Sequence, residues 1–168
     1  IEADRYLQEV PSIAKKRAQH GFYFHATDDP PEVRKVFYET IQRLDVSFEA
    51  VVGRKIPSLY VNKHHSRESE FYADLLSHLL KNKFEAGENL VLNIAQRGKV
   101  TRNEILQQAL TKAATRFKQR KPDGAVRTRI VFNVQNHQTE PLLNVSDYLC
   151  WAVQRVFEKG EMRYYHFI

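Results

Sequence analysis

The chain closes on Leu143-Asn144-Val145-Ser146-Asp147-Tyr148-Leu149-Cys150-Trp151-Ala152-Val153-Gln154-Arg155-Val156-Phe157-Glu158-Lys159-Gly160, and Glu161-Met162-Arg163-Tyr164-Tyr165-His166-Phe167-Ile168 follow. The pattern is that of a long amphipathic helix. Asn144 is placed to act as N-cap. Asp147, three residues on, would then sit in the first turn, against free N–H groups and the positive helix end. Leu149, Val153, Val156 and Phe157 recur at helical spacing and form a face to press on a sheet. Asp147, Trp151 and Glu158 fall near a second line, with Arg155 beside them. Gly160 is the expected stop. An acid at the start of a packed helix is either a capping device or a metal ligand, and spacing leaves both open.

Upstream of this helix, strand and helix patterns alternate. Ile1 to Gln19 reads as an amphipathic helix that Pro11 kinks or restarts, ended by Gly21. Phe22-Tyr23-Phe24 reads as a short aromatic strand. Asp28 or Asp29 caps a helix led by Pro30 and Pro31, with Val33, Val36, Phe37, Thr40, Ile41 and Leu44 as its buried stripe. Val46 to Val52 alternates into a strand closed by Gly53-Arg54-Lys55. Ile56 to His65 reads as an irregular crossover, because Pro57 interrupts any strand there.

Ser66 is the expected cap of a helix running through Asn82, with Phe71, Leu75, Leu76, Leu79 and Leu80 inward. A turn over residues 85–89 leads to an apolar strand, Leu90 to Ala95. Thr101 and Glu104 form a capping box for a helix ending near Lys118. Lys121-Pro122-Asp123-Gly124 is a loop. Arg129 to Val134 is the last strand, and Asn136 to Pro141 connects it to the closing helix. Repeated alternation of this kind predicts an α/β layered domain with at least partly parallel strands.

A length of 168 residues predicts one domain spanning residues 1–168, able to bury a real core. No apolar run approaches transmembrane length, so no membrane partner is expected, and no signal-peptide pattern opens the chain. The lone Cys150 cannot form an internal disulfide, which makes a reducing, cytoplasmic setting the default. It lies among apolar residues and reads as a packed thiol. The net charge of +6 favours polyanionic partners. Arg97, Lys99 and Arg102 cluster, and Arg116, Lys118, Arg120, Lys121, Arg127 and Arg129 follow in one region. Such residues can line a phosphate-tracking groove or simply solvate a helix end.

Three stretches carry a family resemblance. Leu143 to Glu158 resembles the closing signature of the domain-of-unknown-function 3800 family. There an Ala-Asp-Tyr-Leu-Ala-Trp-Ala-Val-x-Arg helix follows the last strand, with Glu a turn after the Arg; Ser146 replaces the family's usual Ala. Phe24-His25-Ala26-Thr27-Asp28 with the Val33-Arg34-Lys35-Val36-Phe37 helix is a second match. Val51-Val52-Gly53-Arg54-Lys55 is a third. The resemblance implies an RNase H-like fold, a mixed central sheet flanked by helices, whose first strands form an antiparallel meander. It also implies a principal acidic ligand on the first strand, in a motif resembling Asp-Glu-Ser-Gly. That motif is not in the chain, which starts at Ile1 without Met, so the N-terminal strands are expected upstream of it.

The same resemblance implies phosphodiester hydrolysis with divalent metals, Mg²⁺ or Mn²⁺, held by converging carboxylates. Asp147 matches the family's last helix-borne acid and is the first candidate as metal ligand and catalytic residue. Asp28 is the second, against its reading as an N-cap. His25 is a candidate proton carrier or phosphate contact, against a structural role at a strand edge. Lys55 can neutralise phosphate or pair with a carboxylate. Arg97, Lys99 and Arg102 follow a strand and open a helix, whose free N–H groups would add to a nucleic-acid contact. His64 and His65 are adjacent and should point apart, and no Cys or third His gives them zinc spacing. His137 and Glu140 either frame a pocket before Asp147 or belong to a solvated loop. Trp151 and the Tyr164-Tyr165-His166-Phe167 run stack on bases or pack on the domain. Two functions follow: a metal-dependent RNase H-like nuclease or related phosphodiester hydrolase, or a non-catalytic module of that fold that grips nucleic acid or a protein. RNA and DNA are not distinguished.

Overall fold

The computed structural model describes residues 23–85, 87, 89–96 and 103–168, the side chain of Asn103 excepted. The helix expected over Ile1 to Gln19, the Gly21 break, Phe22, the Thr101 cap and the Arg97, Lys99 and Arg102 cluster lie outside the described residues. In chain order the elements are α1 (Pro31–Ile41), α2 (Pro57–His64), α3 (Glu68–Leu80), β1 (Asn89–Ala95), α4 (Asn103–Arg120), β2 (Arg129–Gln135), α5 (Pro141–Lys159) and a 3-10 turn (Tyr165–Phe167). Among the described residues the fold is mixed α/β, with five helices and a two-stranded parallel sheet. No described helix is long and apolar enough to cross a membrane. The chain divides into two compact units, one of Ile1–Phe48 with Gln135–Ile168 and one of Glu49–Val134.

The first unit is built on an aromatic core. Phe37, Tyr38 and Ile41 of α1 meet Tyr148, Leu149 and Ala152 of α5, and Ala26 and Tyr164 close the cluster. The Phe37 and Tyr148 rings lie 4.0 Å apart and the Tyr38 and Tyr148 rings 5.3 Å apart. Burying each such side chain contributes about 1.5–3 kcal/mol. The Tyr38 hydroxyl donates to the Tyr148 carbonyl at 2.6 Å, so the phenol enters the core with its polar end satisfied. The C-terminal aromatic run packs on the unit: Tyr164 is buried against Trp151, and Phe167 stacks on Tyr38.

The closing helix starts earlier than its sequence pattern predicts. Pro141 lacks an N–H and has its φ preset, which suits the first turn, and the Glu140 side chain caps by accepting from the Leu142 N–H at 3.2 Å. Asn144 is therefore a buried interior residue, not the N-cap; its amide donates to the His137 carbonyl at 3.1 Å. Asp147 is moved out of the first turn. The buried face is also rotated from the expected one. Leu143, Tyr148, Leu149 and Ala152 face the core, while Phe157 is 68 % exposed. Cys150 is exposed, which corrects its reading as a packed thiol. Gly160 does end the helix, with φ 64° and a backbone bond to Val156, a left-handed closure that glycine permits without strain.

At the start of α1 the N-cap position falls on Pro30, so neither Asp28 nor Asp29 occupies it. Two expected strands are not formed: Tyr23 and Phe24, and the stretch 46–52, have no strand pairing. The alternating residues 46–52 are all exposed.

The second unit packs α3 and α4 against one face of the sheet. Leu80, Phe84, Ala113 and Phe117 form its core, with Leu92, Ile130 and Phe132 of the strands against it. Val91 and Val131 alternate to the other, exposed face, where the Asn133 amide donates to Asn93 at 2.9 Å. Pro57 begins a helix instead of interrupting a strand, so the expected crossover is α2. Ser66 is not a cap: Arg67 holds that position, and His65 and Ser66 both take positive φ, 50° and 56°, in the link from α2 to α3.

Candidate active site

The first unit brings together the sequence candidates His25, Asp28 and Asp147. Residues 25–29 form a tight turn, with the Asp28 and Asp29 N–H groups both donating to the His25 carbonyl, at 3.0 and 2.9 Å. Two locks hold this turn to α5. The Ala26 N–H donates to Asp147 Oδ2 at 2.8 Å, and the Tyr148 hydroxyl donates to Asp29 Oδ2 at 2.6 Å. Asp29 Oδ2 also accepts the His25 N–H at 2.9 Å. From α1, Arg34 Nε donates to the Ala26 carbonyl at 2.6 Å and a terminal nitrogen donates to Thr27 at 3.1 Å. The peptide around Ala26 is thus held by a carboxylate at its N–H and a guanidinium at its carbonyl.

Asp147 is therefore no helix cap. It binds backbone more than a hundred residues away in sequence and keeps its other oxygen toward the imidazole: His25 Nε2 is 3.9 Å from Asp147 Oδ1. Asp28 Oδ2 lies 3.6 Å from His25 Nδ1. Neither distance is a hydrogen bond, and Nδ1 is buried without a hydrogen-bond partner. The His25 side chain is 33 % exposed, Asp147 25 % and Asp28 67 %, so a solute can reach all three. Tyr23 sets its edge to His25 and stacks on His137 at 5.1 Å. One turn beyond Asp147, Trp151 receives the Arg34 guanidinium at 4.6 Å and that of Arg155 at 5.5 Å.

Burial, and then the neighbouring Asp29 carboxylate, push the Tyr148 phenol far above its ordinary range, so it remains a donor at any working pH. Removing that donor leaves the 2 % exposed Asp29 short of a bond. Tyr148→Phe is expected to cost about 1.5–3 kcal/mol, the range for hydrogen bonds to charged groups. A urea midpoint equal to wild type would show that the lock contributes nothing.

Chemically, the cluster offers one imidazole, a group that can carry a proton, flanked by two carboxylates. Asp147 Oδ1 and Asp28 are hard oxygen donors of the kind Mg²⁺ takes, and that ion is commonly held by one or two carboxylates plus water and phosphate. The donor type fits; a protein cage is not formed, since no group of three or more His, Cys, Asp or Glu among the described residues is placed to hold an ion.

The remaining candidates lie elsewhere. Lys55 belongs to the second unit and follows no strand; it pairs with Glu68 and lies over the Tyr60 and Phe71 rings. The hydrogen bond to Glu68 raises its pKa. His64 and His65 diverge, His64 buried beside Asp74 and His65 at 2.9 Å from Glu70. Glu140 is the α5 cap. The basic run after residue 115 is largely engaged within its unit: Arg116 binds Asp74, Lys118 the Gly124 carbonyl, Arg120 Asn82 and Lys121 Glu85.

Two features had no place in the sequence candidates. From sequence Asp29 reads only as a cap. Asp74 lies on the inward stripe between Phe71 and Leu75, and a carboxylate on an apolar stripe is the signal that points to a buried partner. No protein-family model matches the chain, and no curated protein or solved structure matches it either.

Proposed function

We propose that the first unit carries the hydrolytic site of a metal-dependent, RNase H-like nuclease or related phosphodiester hydrolase. The observation that supports this most is Asp147. It is fixed by the Ala26 N–H through one oxygen and holds the other at an accessible imidazole with a second acid beside it. A pure capping role would spend the carboxylate at its own helix end. The RNase H-like reading draws support from a parallel β–α–β arrangement followed by a long closing helix, in that order. The expected strands at Phe22–Phe24 and Val46–Val52 do not add to it.

Asp147, with Asp28, would hold the Mg²⁺ or Mn²⁺ ion. When bound, such an ion lowers the pKa of its water and neutralises phosphate charge. The chain's own part is positional. Arg34 and Asp147 fix the turn so that His25 meets a substrate in one orientation. His25 then gives or takes a proton at Nε2, the nitrogen nearer Asp147. Arg34, over the Trp151 ring, supplies positive charge beside the site, while Arg155 is paired with Glu161. Incubation with end-labelled RNA and DNA, single- and double-stranded, is expected to give cleavage with Mg²⁺ or Mn²⁺ that a chelator abolishes. No cleavage of any of the four under either ion would contradict the enzyme.

One observation favours the second reading, a non-catalytic module that grips nucleic acid or protein. Among the described residues the acids do not form a cluster of three. Under that reading binding persists in chelator, and its salt dependence reports phosphate contacts.

A further inference from the structure

The candidate site has an aromatic neighbour to which the chemistry above assigns no role. Tyr23 is 39 % exposed, and its ring stands edge-on to the His25 imidazole, with centroids 6.1 Å apart. The same ring stacks on His137, at 5.1 Å and with 26° between the planes. A single exposed aromatic is ordinary on a protein surface. What sets Tyr23 apart is how its support is held.

His137 lies in the loop between β2 and α5, and Asn144 of α5 grips it at two points. The Asn144 amide donates to the His137 carbonyl at 3.1 Å, and its Oδ1 meets the ring Nδ1 at 3.1 Å. Asn144 is 7 % exposed, and a buried amide is costly unless its bonds are made. It stands one helical turn before Asp147 and Tyr148, which hold Ala26 and Asp29 of the neighbouring turn. One face of α5 therefore fixes both the catalytic candidates and the imidazole that backs Tyr23.

The occupant follows from that neighbourhood. On the hydrolase reading, on which this inference rests, His25 meets a phosphodiester. A group stacked on Tyr23 is then the one joined to that phosphate, and in a polynucleotide it is a base. Every base offers a π face, and a ring positioned in advance takes it at little ordering cost. Inside a duplex both faces of a base are covered by its neighbours, so only an unpaired base can stack on a side chain.

We infer that Tyr23, backed by His137, is a stacking subsite for an unpaired base beside the scissile phosphate. The substrate is then a single strand, read with little regard to sequence, because stacking does not distinguish base edges.

The test is fluorescence anisotropy of the full chain with a labelled short single strand, its duplex, and the same strand with its bases removed. Each is measured in Ca²⁺ and in chelator. Tyr23→Leu should weaken binding of the single strand by about 5- to 150-fold, the usual value of one stacked base. Tyr23→Phe should stay within about twofold of wild type, since the ring is kept. His137→Ala, which removes the backing, should weaken the single strand in the same direction. The duplex and the baseless strand should bind wild type and Tyr23→Leu alike, with urea midpoints confirming that the variants fold.

No binding of the single strand in either condition overturns the inference. So does binding that Tyr23→Leu and His137→Ala both leave at wild-type strength. An equal loss on the baseless strand would make Tyr23 a structural support of the turn and overturn it too. Cleavage with Mg²⁺ is followed separately. A chain that cuts while Tyr23→Leu loses no affinity keeps the hydrolase and overturns the subsite. A base-dependent loss in a chain that cuts nothing supports the subsite and contradicts the hydrolase.

Discussion

Arg116→Ala is expected to destabilise the second unit by about 3 kcal/mol, the lower part of the range for stripping one partner from a buried ion pair. Asp74 is 6 % exposed and lies between α2 and α4 partners: Arg116 on Oδ1, Lys63 on Oδ2 and His64 nearby. Arg116 also donates to Ser77, a fully buried hydroxyl that itself donates to the Asp74 carbonyl. Deleting the guanidinium leaves a buried charge with a single exposed lysine as counter-ion, and Ser77 without one of its bonds. Urea unfolding followed by circular dichroism should show the lower midpoint. An unchanged midpoint would mean that the carboxylate finds another partner.

The same cluster sets an acid limit. Burial pushes the Asp74 carboxyl up, but hydrogen bonds and charge from Arg116 and Lys63 outweigh it and bring the pKa from 3.8 down to about 2. A carboxylate depressed in the folded state stabilises fully above its unfolded value. Its contribution, about 2 kcal/mol, is therefore present above pH 4 and lost as pH falls from there toward 2. In Arg116→Ala that acid-dependent part should shrink. Burial, and then Arg116, push His78 down, so it charges only in acid and adds its own loss of stability as pH falls below its ordinary value.

His25→Ala is expected to lower the cleavage rate by about 10²–10⁴-fold, the usual contribution of a positioned acid or base. The backbone contacts that build the turn come from the His25 N–H and carbonyl, and alanine keeps both. The fold should therefore survive, and the loss should fall on the rate. A profile of rate against pH separates a proton carrier from a mere spacer. Wild type should show a limb that the variant lacks. A rate and profile equal to wild type would remove His25 from the chemistry.

Element positions were legible where local rules act alone. Gly160, the β1 and β2 strands and the Lys121–Gly124 turn came from short-range chemistry that nothing distant overrides. Proline was legible only in part. Pro57 and Pro141 each open a helix, and reading Pro57 as a strand breaker displaced α2 entirely. Val46 to Val52 shows the opposite failure. Its alternation is real, but a strand needs a partner, and pairing is decided far away in sequence. At the site, the residue types in the Phe-His-Ala motif and the closing helix were readable, and His25 and Asp147 do meet. The partners that fix them were not. Asp29 looks like a cap until Tyr148 arrives from α5, and Asp74 is an ordinary helix acid until Arg116 comes over from α4. Long-range hydrogen bonds leave little mark on sequence except a polar residue on an apolar stripe.

The central claim is that Asp147 serves chemistry and not only structure, and Asp147→Asn tests it most directly. The asparagine carbonyl can still accept the Ala26 N–H, so the turn keeps its anchor while the charge goes. Cleavage and Mn²⁺ binding are measured on wild type and variant side by side, with urea midpoints as the check on folding. The expected result is a near-native midpoint, Mn²⁺ affinity weakened by at least about 100-fold, and no metal-dependent cleavage. A folded variant that binds Mn²⁺ and cuts like wild type would contradict the account.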